Sequence, residues 1–291
     1  MGADSKIEWT DHTFNPWVGC TKVSPACDHC YAESWAKRSG SVVWGGDRRR
    51  TTDANWNKVR RWGREAFGKG IRPRVFCASL ADVFDNEVPT EWRSDLFDMI
   101  ERTPSLDWLL LTKRIGNALR LTADARTHDW LAGQRNVWIG ATICNQAEAD
   151  RDIPKLLEVP ARVRFLSIEP MLGPINVGLY LSRTNMHGLR MMPGFRDSLP
   201  GVDWVICGGE SGPKARPSHP DWFRSLRDQC AAAGVAYLHK QNGEWVSVSE
   251  VAGPGAHYTF QDGATVRRTG KKLAGRTIDG IIHDAYPEVQ P

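Results

Sequence analysis

The chain has 291 residues, of which 41% are hydrophobic and 25% charged, and its formal net charge is +4. These values are close to ordinary globular usage, which excludes a disordered chain, and no apolar run reaches the roughly 18 residues of a membrane span. The first residues lack the apolar segment of a secretion signal, so we expect a cytoplasmic protein without a membrane partner. Seven cysteines, four of them scattered among apolar neighbours, predict free thiols rather than a disulfide framework.

The first predicted strand lies near residues 14–18. Three cysteines follow it with the spacing C-x6-C-x2-C: Cys20, Cys27 and Cys30. Thiolates at this spacing can hold one soft metal ion or one face of a cluster, so these residues are predicted metal ligands. A zinc ion would need a fourth ligand, from His12 or His29, and a thiol redox site would use only the last two cysteines. An iron–sulfur cluster would use all three and leave one iron open to an exogenous ligand.

Residues 37–74 form a basic insertion, in which twelve Lys or Arg stand against three acidic residues and give a local charge of +9. Aromatic residues are interleaved with the charges: Trp44, Trp56, Trp62 and Phe67. Because basic groups pair with phosphates while aromatic rings stack on bases, this block predicts contact with DNA or RNA. The alternative is a solvated helix face whose aromatic residues pack inward. The predicted contact residues are arginines: Arg48, Arg49, Arg50, Arg60, Arg61 and Arg64.

Past residue 70, short apolar runs alternate with amphipathic segments. The runs predict strands over residues 74–79, 107–112, 136–142, 162–167, 203–208 and 234–239. The segments predict helices over residues 91–103, 116–121, 146–157 and 220–233. Apolar strands separated by helices indicate a parallel sheet covered by helices, and about seven strands favour an α/β fold that is a partial or full β/α barrel.

The barrel is predicted to span residues 1–243, with a small C-terminal extension over residues 244–291 that is rich in glycine and basic groups. Residues 173–201 form a loop insertion with little periodicity, which contains Met186, Met191 and Met192. This insertion is either a lid over the strand ends or a tolerated surface loop, and we favour the lid.

Polar residues and glycines follow consecutive predicted strands. Because the carboxyl ends of parallel strands gather at one edge of a sheet, these residues predict a pocket for a polar ligand. The candidates are Ser79, Asp82, Lys113, Arg114, Thr142, Glu169, Gly208, Gly209, Glu210 and Ser211. Helix capping is the alternative role for Ser79 and Asp82.

The three-cysteine loop after the first strand, with His29 before the last cysteine and Tyr31 after it, resembles the radical S-adenosylmethionine (radical SAM) superfamily. More narrowly, the chain is similar to a phage-associated, radical-SAM-like family with a three-cysteine motif. The blocks that carry this resemblance are Trp9-Thr10, Asn15–Cys20, Ser79–Phe84, Leu111–Arg114, Ser167–Pro170, Gly208–Gly212, Lys240–Gly243, Gly270–Lys272 and Gly275-Arg276. The chain departs from the commonest superfamily spacing, C-x3-C-x2-C. Its Gly-Gly-Glu sequence also follows the sixth predicted strand instead of the second.

The resemblance implies an enzyme that binds a 4Fe–4S cluster and SAM and cleaves SAM to a 5′-deoxyadenosyl radical, with an electron from an external donor. In such an enzyme Lys113 or Arg114 would neutralise the SAM carboxylate, and Asp82, Glu169 or Glu210 would accept hydrogen bonds from its ammonium and ribose groups. The basic block favours a nucleic acid or nucleotide as substrate, and a partner protein is a further expectation. The rival hypothesis is a nucleic-acid-binding protein with a purely structural zinc or iron–sulfur site. The sequence identifies no catalytic residue.

Overall fold

The computed structural model of the chain describes residues 5–181 and 201–288. The chain folds into two compact units, each of which makes most of its contacts within itself. The first consists of Met1–Ala141 with Val159–Val163, and the second of Thr142–Glu158 with Arg164–Pro291.

The strands and helices that begin in the first unit are numbered in chain order. The strands are β1 (His12–Thr13), β2 (Trp17–Val18), β3 (Arg49–Arg50), β4 (Arg74–Cys77), β5 (Asp107–Thr112) and β6 (Val137–Thr142). The helices are α1 (Tyr31–Ser39), α2 (Asp53–Lys69), α3 (Thr90–Glu101), α4 (Ala118–Ala125) and α5 (Trp130–Gly133). Strand β7 (Val163–Ile168) begins at the last residue of this unit and continues into the second.

The second unit contains the remaining elements. Its helices are α6 (Gln146–Glu158), α7 (Gly178–Leu181), α8 (Pro220–Ala233) and α9 (Lys271–Ala274). Its strands are β8 (Trp204–Gly208), β9 (Ala236–Gln241), β10 (Trp245–Ser247), β11 (His257–Thr259), β12 (Thr265–Arg268), β13 (Thr277–Ile278) and β14 (Ile281–Ile282). None of the helices in the described ranges combines the length and apolar character needed to cross a membrane.

Seven of the described strands form one sheet in the order β1-β4-β5-β6-β7-β8-β9, and its pairs are parallel, as in the register Phe76 to Leu109 and Ile206 to Leu238. The sheet order begins at β1 and ends at β9 and does not close within the described residues, so the fold is a partial β/α barrel. This architecture confirms the predicted α/β class.

Burial explains why the sheet strands were recognisable in the sequence. Trp108 of β5 and Trp204 of β8 are fully buried, and the residues that follow them in each strand are almost all buried too. Strands covered on both faces are built from continuous apolar runs, which is the pattern that predicted them. All six predicted strands after residue 70 are confirmed, with boundaries that differ by at most two residues.

The first strand is in a different place from the one predicted. The residues that pair with β4 are His12–Thr13, whereas Trp17–Val18 pairs antiparallel with Arg49–Arg50 outside the main sheet. The predicted strand at 14–18 therefore corresponds to two short strands. The basic segment 37–74 contains the end of α1, strand β3 and helix α2, and it leads directly into β4.

The C-terminal segment contributes two small sheets within the second unit. Strands β10, β12 and β11 form an antiparallel sheet, and β13 pairs with β14 as a hairpin. Of the predicted loop insertion at 173–201, helix α7 is described, whereas residues 182–200 with the three methionines lie outside the described residues.

Candidate metal centre

The cysteine loop begins just after β2, at Gly19, whose backbone conformation favours glycine. Gly19 has a φ of +106°, and a Cβ at this position would lie 3.2 Å from Val42. Glycine adopts this region of φ freely whereas other residues do not, so the residue before Cys20 is constrained by backbone geometry. The amide of Gly19 donates to the carbonyl of Leu80, and the carbonyl of Cys20 accepts from the amide of Gly45, so both residues are held by the backbone.

The other two cysteines flank a tight turn. A short 3-10 helix, Pro25–Cys27, starts at Ser24, whose hydroxyl accepts a hydrogen bond from the amide of Ala26 at 3.1 Å. Cys30 is the N-cap residue of α1. Cys30 therefore lies at the N-terminus of a helix, where the helix dipole presents its positive end.

Arg114, which follows strand β5, reaches the first cysteine. Its Nη1 donates to Sγ of Cys20 at 3.3 Å, and its Nη2 donates to the carbonyl of Thr21 at 2.8 Å. Burial raises the pKa of the Cys20 thiol to about 11, and the Asp82 carboxylate adds to the rise, while Arg114 lowers it. The side chain by itself is therefore a thiol at neutral pH, and metal coordination is what normally deprotonates such a group.

The carboxylate of Asp82 is occupied by the protein itself. One oxygen accepts hydrogen bonds from the Thr112 hydroxyl at 2.7 Å and the Phe84 amide at 2.9 Å. The other accepts from the Lys113 amide at 3.0 Å and the Arg114 guanidinium at 3.3 Å. Two acceptor sites per oxygen are then filled, so Asp82 positions Arg114 and has no capacity left for a ligand.

Lys113 differs from Arg114 because no described residue pairs with its charged group. The ammonium group makes no hydrogen bond or ion pair with any described residue, and the side chain is partly buried. Arg114 is instead held by Cys20, Thr21 and Asp82. Of the two cations that follow β5, Lys113 is therefore the one whose charge is available to a ligand.

Arg48 also contacts the cysteine loop, through the side chain of Thr21. Its fully buried guanidinium forms an ion pair with Asp85, with Nη2 2.6 Å from the carboxylate, and it also donates to the Thr21 hydroxyl at 2.6 Å and to the Gly46 carbonyl. A buried arginine paired in this way is not accessible to a phosphate. The structure thus corrects the prediction that Arg48 contacts nucleic acid.

Ser79 holds the segments on either side of the cysteines. Its hydroxyl accepts from the side-chain amide of Asn15 at 2.9 Å, and its carbonyl accepts from the hydroxyl of Tyr31 at 2.6 Å. Asn15 in turn accepts from the Leu80 amide at 2.6 Å. Ser79 therefore links the residue after Cys30 to the residues before the loop.

The donor chemistry of this loop fits an iron–sulfur cluster. Cys20 and Cys30 are partly exposed and Cys27 is buried, whereas the four cysteines elsewhere are all buried. Within the described ranges, no group of three or more His, Cys, Asp or Glu side chains is arranged around a single ion position. A cluster takes one thiolate at each of several irons, and if Cys20 held one of them, Arg114 would donate to that ligand.

The second unit carries a separate polar cluster at the ends of its strands. Glu169 follows β7, and both of its carboxylate oxygens accept from Lys240, at 2.8 and 2.9 Å. One of them also accepts from Gln241 at 2.9 Å. Thr142 ends β6 with a buried hydroxyl that has no hydrogen-bond partner among the described residues.

Glu210, in the Gly-Gly-Glu sequence, is paired with an arginine. Its oxygens accept from Arg216 Nη2 at 2.7 Å and Nε at 2.9 Å, and the Arg216 amide also donates to it at 2.8 Å. Glu210 itself is buried, while Ser211 beside it is exposed. The Glu210 carboxylate is therefore engaged within its own loop.

A close approach of two chain segments requires a glycine at position 209 and leaves little room at position 208. A Cβ on Gly209 would lie 2.1 Å from the carbonyl oxygen of Asn242, and a Cβ on Gly208 would lie 3.3 Å from Gln241 and Glu169. No side chain fits at position 209 without a shift of the backbone. Packing between the ends of β8 and β9 is thus sufficient to explain the glycine pair that the sequence assigned to cofactor binding.

The arginines of the basic segment differ in exposure. Arg49, Arg60, Arg61 and Arg64 are exposed, and Arg50 is partly buried. Trp56 and Trp62 are almost completely buried, against Phe14 and His12 respectively. The alternative of an inward-packing aromatic face is therefore correct for these two tryptophans, whereas Phe67 remains exposed.

A family model described as "Protein of unknown function (DUF5131)" matches residues 4–287. The chain belongs to this family. A search of curated proteins finds no match to the DUF5131 chain. Among solved structures, a mutant of spore photoproduct lyase is similar with 12% identity and a TM-score of 0.46, over 94% of this chain and 73% of that chain. Spore photoproduct lyase complexed with dinucleoside spore photoproduct gives 11% identity and a TM-score of 0.44, over 94% and 74% of the two chains.

Three further residues of the DUF5131 chain hold the polar clusters, and two of them, Asp85 and Arg216, lie outside the sequence blocks that carry the resemblance. Asp85 holds Arg48, Arg216 holds Glu210, and Asn15 holds the segment before the cysteines. Each holds its partner by an ion pair or hydrogen bond, and that partner is either distant in the sequence or on the other side of a turn. Asn15 and Asp85 are nonetheless buried polar groups, and such groups are normally hydrogen-bonded.

Proposed function

We propose that the chain is an iron–sulfur enzyme of the radical SAM type, in which Cys20, Cys27 and Cys30 bind a 4Fe–4S cluster and SAM is the exogenous ligand. The observation that carries this proposal is the contact from Arg114 to Cys20 within a three-cysteine loop. When bound, such a cluster supplies the electron that reductively cleaves SAM to methionine and a 5′-deoxyadenosyl radical. The electron comes from an external donor.

The location of the loop supports this proposal. The loop follows β1 along the chain, and Arg114 follows β5 in the same parallel sheet. The carboxyl edge of parallel strands is where α/β folds place their chemistry. Arg114, held by a saturated carboxylate, places a charged donor at one of the three cysteines, and such donors tune iron–sulfur clusters.

The residues near the loop divide into supporting and binding groups. Asp82 and Thr112 hold Arg114, which in turn fixes Cys20 and Thr21. We assign to Lys113 the task of neutralising the SAM carboxylate, because its ammonium group is not engaged by any described residue. A lysine carries a compact charge with three donors, which suits a carboxylate.

In the second unit, Glu169 is the carboxylate with remaining capacity. One of its oxygens accepts a single hydrogen bond, from Lys240, whereas Glu210 is engaged by three donors of Arg216. Glu169 is therefore the carboxylate of the second unit that can still accept a hydrogen bond from a ligand. Thr142, with its unpartnered hydroxyl, is a second candidate for a ligand contact.

The substrate that we propose is a nucleic acid or a nucleotide. The support comes from the exposed arginines of α2, namely Arg60, Arg61 and Arg64, and from Arg49. Exposed basic groups on one segment attract polyanions through their summed charge. The buried tryptophans are excluded from stacking on bases, so the affinity is expected to rest on phosphate contacts.

The test is anaerobic reconstitution with iron and sulfide, followed by incubation with SAM and a strong reductant. The wild-type protein should be brown, contain about four irons per chain as a 4Fe–4S cluster requires, and release 5′-deoxyadenosine. Cys20→Ala, Cys27→Ala and Cys30→Ala should each abolish the visible absorbance of the cluster. Cys77→Ala and Cys230→Ala, in buried cysteines outside the loop, are the matched controls and should retain it. A colourless, zinc-loaded wild-type protein would contradict the proposal and favour a structural metal site.

A further inference from the structure

Thr21, the residue after Cys20, is held by two arginines that come from different parts of the first unit. Nη2 of Arg48 donates to the Thr21 hydroxyl at 2.6 Å, and Nη2 of Arg114 donates to the Thr21 carbonyl at 2.8 Å. Arg48 precedes β3 along the chain, whereas Arg114 follows β5. Both the side chain and the backbone of Thr21 are therefore fixed, directly after the first cysteine of the loop.

A single buried carboxylate lies against both arginines. Asp85 accepts from Nε of Arg48 at 2.8 Å, and the same oxygen lies 2.6 Å from Nη2 of Arg48 and 3.8 Å from Nη2 of Arg114. The Arg48 guanidinium also donates to the Gly46 carbonyl. Because a guanidinium is planar and its donors point in fixed directions, Arg48 cannot turn away from Thr21 without breaking its other hydrogen bonds.

The charged side chains of this network are buried and balanced in sign: Arg48, Arg114, Asp82 and Asp85. Because desolvation offsets the attraction between buried charges, such a network is weak evidence for stability. Its contacts with the cysteine loop are specific, since two of them end on Thr21 and one ends on Sγ of Cys20. The network therefore defines the position of one part of the loop.

The third cysteine of the loop is held in a different way. Cys30 packs against a small apolar cluster of Val18, Ala32 and Leu80. The hydrogen bonds to Thr21 do not involve this cluster. A change at Thr21 should therefore act on the first cysteine and leave Cys30 as an internal reference in the same molecule.

We propose that Thr21 is a positioning residue, through which Arg48 and Arg114 fix Cys20 as the first ligand of the cluster. Gly19 constrains the backbone before this cysteine, and Thr21 constrains it afterwards. The Thr21 hydroxyl is the link to Arg48, because its removal leaves that arginine bound to its other partners and no longer to the loop. The inference rests on the proposed iron–sulfur function and names how this chain places one of its ligands.

The first test measures the rate at which iodoacetamide alkylates each cysteine in the metal-free, full-length protein, with the sites resolved by peptide mass spectrometry. Thr21→Val removes the hydroxyl with little change of shape, and it should raise the rate at Cys20 relative to Cys30 at least about threefold, as loss of a hydrogen bond to a charged group predicts. Thr21→Ser keeps the hydroxyl and should retain the wild-type ratio. Thr103→Val, which removes a buried hydroxyl bonded to the Met99 carbonyl, is the matched control and should also retain it.

The second test measures the loss of iron to a chelator from the reconstituted protein. Thr21→Val should lose iron at least about threefold faster than the wild type, whereas Thr21→Ser and Thr103→Val should lose it at the wild-type rate. An unchanged alkylation ratio or an unchanged rate of iron loss in Thr21→Val would overturn the proposal. Faster alkylation of all the cysteines together would also overturn it, because that result indicates a general loosening of the fold.

The alkylation test separates this inference from the proposed function because it needs no cluster. A protein that binds no iron would contradict the iron–sulfur assignment. The effect of Thr21→Val on Cys20 would still decide whether Thr21 positions that cysteine.

Discussion

At the residue scale, Arg114 is the side chain through which the sheet influences the cysteine loop. Its guanidinium donates to a sulfur and to a backbone carbonyl of the loop, and Asp82 fixes its position. A positive donor at a thiolate ligand stabilises the reduced, more negative state of an iron–sulfur cluster. The same contact would do little for a redox-inert zinc ion.

Arg114→Gln is therefore expected to lower the reduction potential of the reconstituted cluster. A difference of about 1.4 kcal/mol between the oxidation states corresponds to ~59 mV for one electron, so we expect a shift of roughly 30–60 mV. The measurement is a redox titration followed by electron paramagnetic resonance. Arg114→Lys, which keeps the charge, should shift the potential less, and Arg120→Gln on the exposed face of α4 should not shift it. A midpoint equal to that of the wild type would show that Arg114 has no influence on the cluster.

The burial of individual side chains was the property that the sequence predicted least well. Arg48 and Arg49 are neighbours of the same chemistry, yet one is buried against Asp85 and the other is exposed. Which of two adjacent arginines points inward is decided by the distant carboxylate, and that carboxylate is not recognisable from local sequence. The three cysteines, by contrast, could be predicted as metal ligands because ligand spacing within a loop is a local property of the sequence.

At the element scale, the sheet strands were predictable and the first strand was not. Strands β5 and β8 are covered on both faces and therefore consist of uninterrupted apolar residues. Strand β1, which pairs with β4, has only two residues, His12 and Thr13, and neither is apolar. A strand this short has no periodic pattern that the sequence could reveal. Helix α8 was predicted with its observed ends because Pro220 and Gly234 mark them directly.

The junction between the ends of β8 and β9 makes a prediction about Gly209. Because a Cβ there would lie 2.1 Å from the carbonyl oxygen of Asn242, Gly209→Ala should lower the free energy of unfolding by about 1–3 kcal/mol. Urea denaturation measures this change. Gly173→Ala is the control in the same unit, since a Cβ there meets no atom within 4 Å. Unchanged stability of Gly209→Ala, with a loss only in SAM binding, would instead assign this glycine to cofactor contact.

At the scale of the whole molecule, the charge asymmetry of the sequence is partly neutralised by folding. Four arginines of the 37–74 segment are paired with acids outside it: Arg48, Arg50, Arg72 and Arg74. Their partners are Asp85, Asp95, Asp107 and Asp11. The positive charge left for a polyanion therefore lies mainly on the exposed residues of α2, on Arg38 and on Arg49. If a polyanion binds the chain, as proposed above, this distribution favours a weak attraction that depends on salt.

The stability of the molecule should also depend on the protonation of His239. His239 is fully buried in β9, and its Nε2 donates to Oδ1 of Asn242 at 2.9 Å, because the side-chain amide nitrogen of Asn242 already donates to Ala274. Burial lowers the pKa of His239 from 6.5 to about 4, and the nearby charges of His283 and Arg276 act in the same direction.

Since the folded pKa of His239 lies below the unfolded one, the unfolded chain binds more protons between about pH 4 and pH 6.5. The stability contributed by the neutral ring is thus fully present above pH 6.5 and is lost as the pH falls towards 4, by up to about 3 kcal/mol. Urea titrations of the wild type at pH 7 and pH 5 measure the loss. His239→Gln should reduce this pH dependence, whereas His257→Gln, an exposed histidine in β11, should leave it unchanged. An equal pH dependence in wild type and His239→Gln would mean that another group controls acid stability.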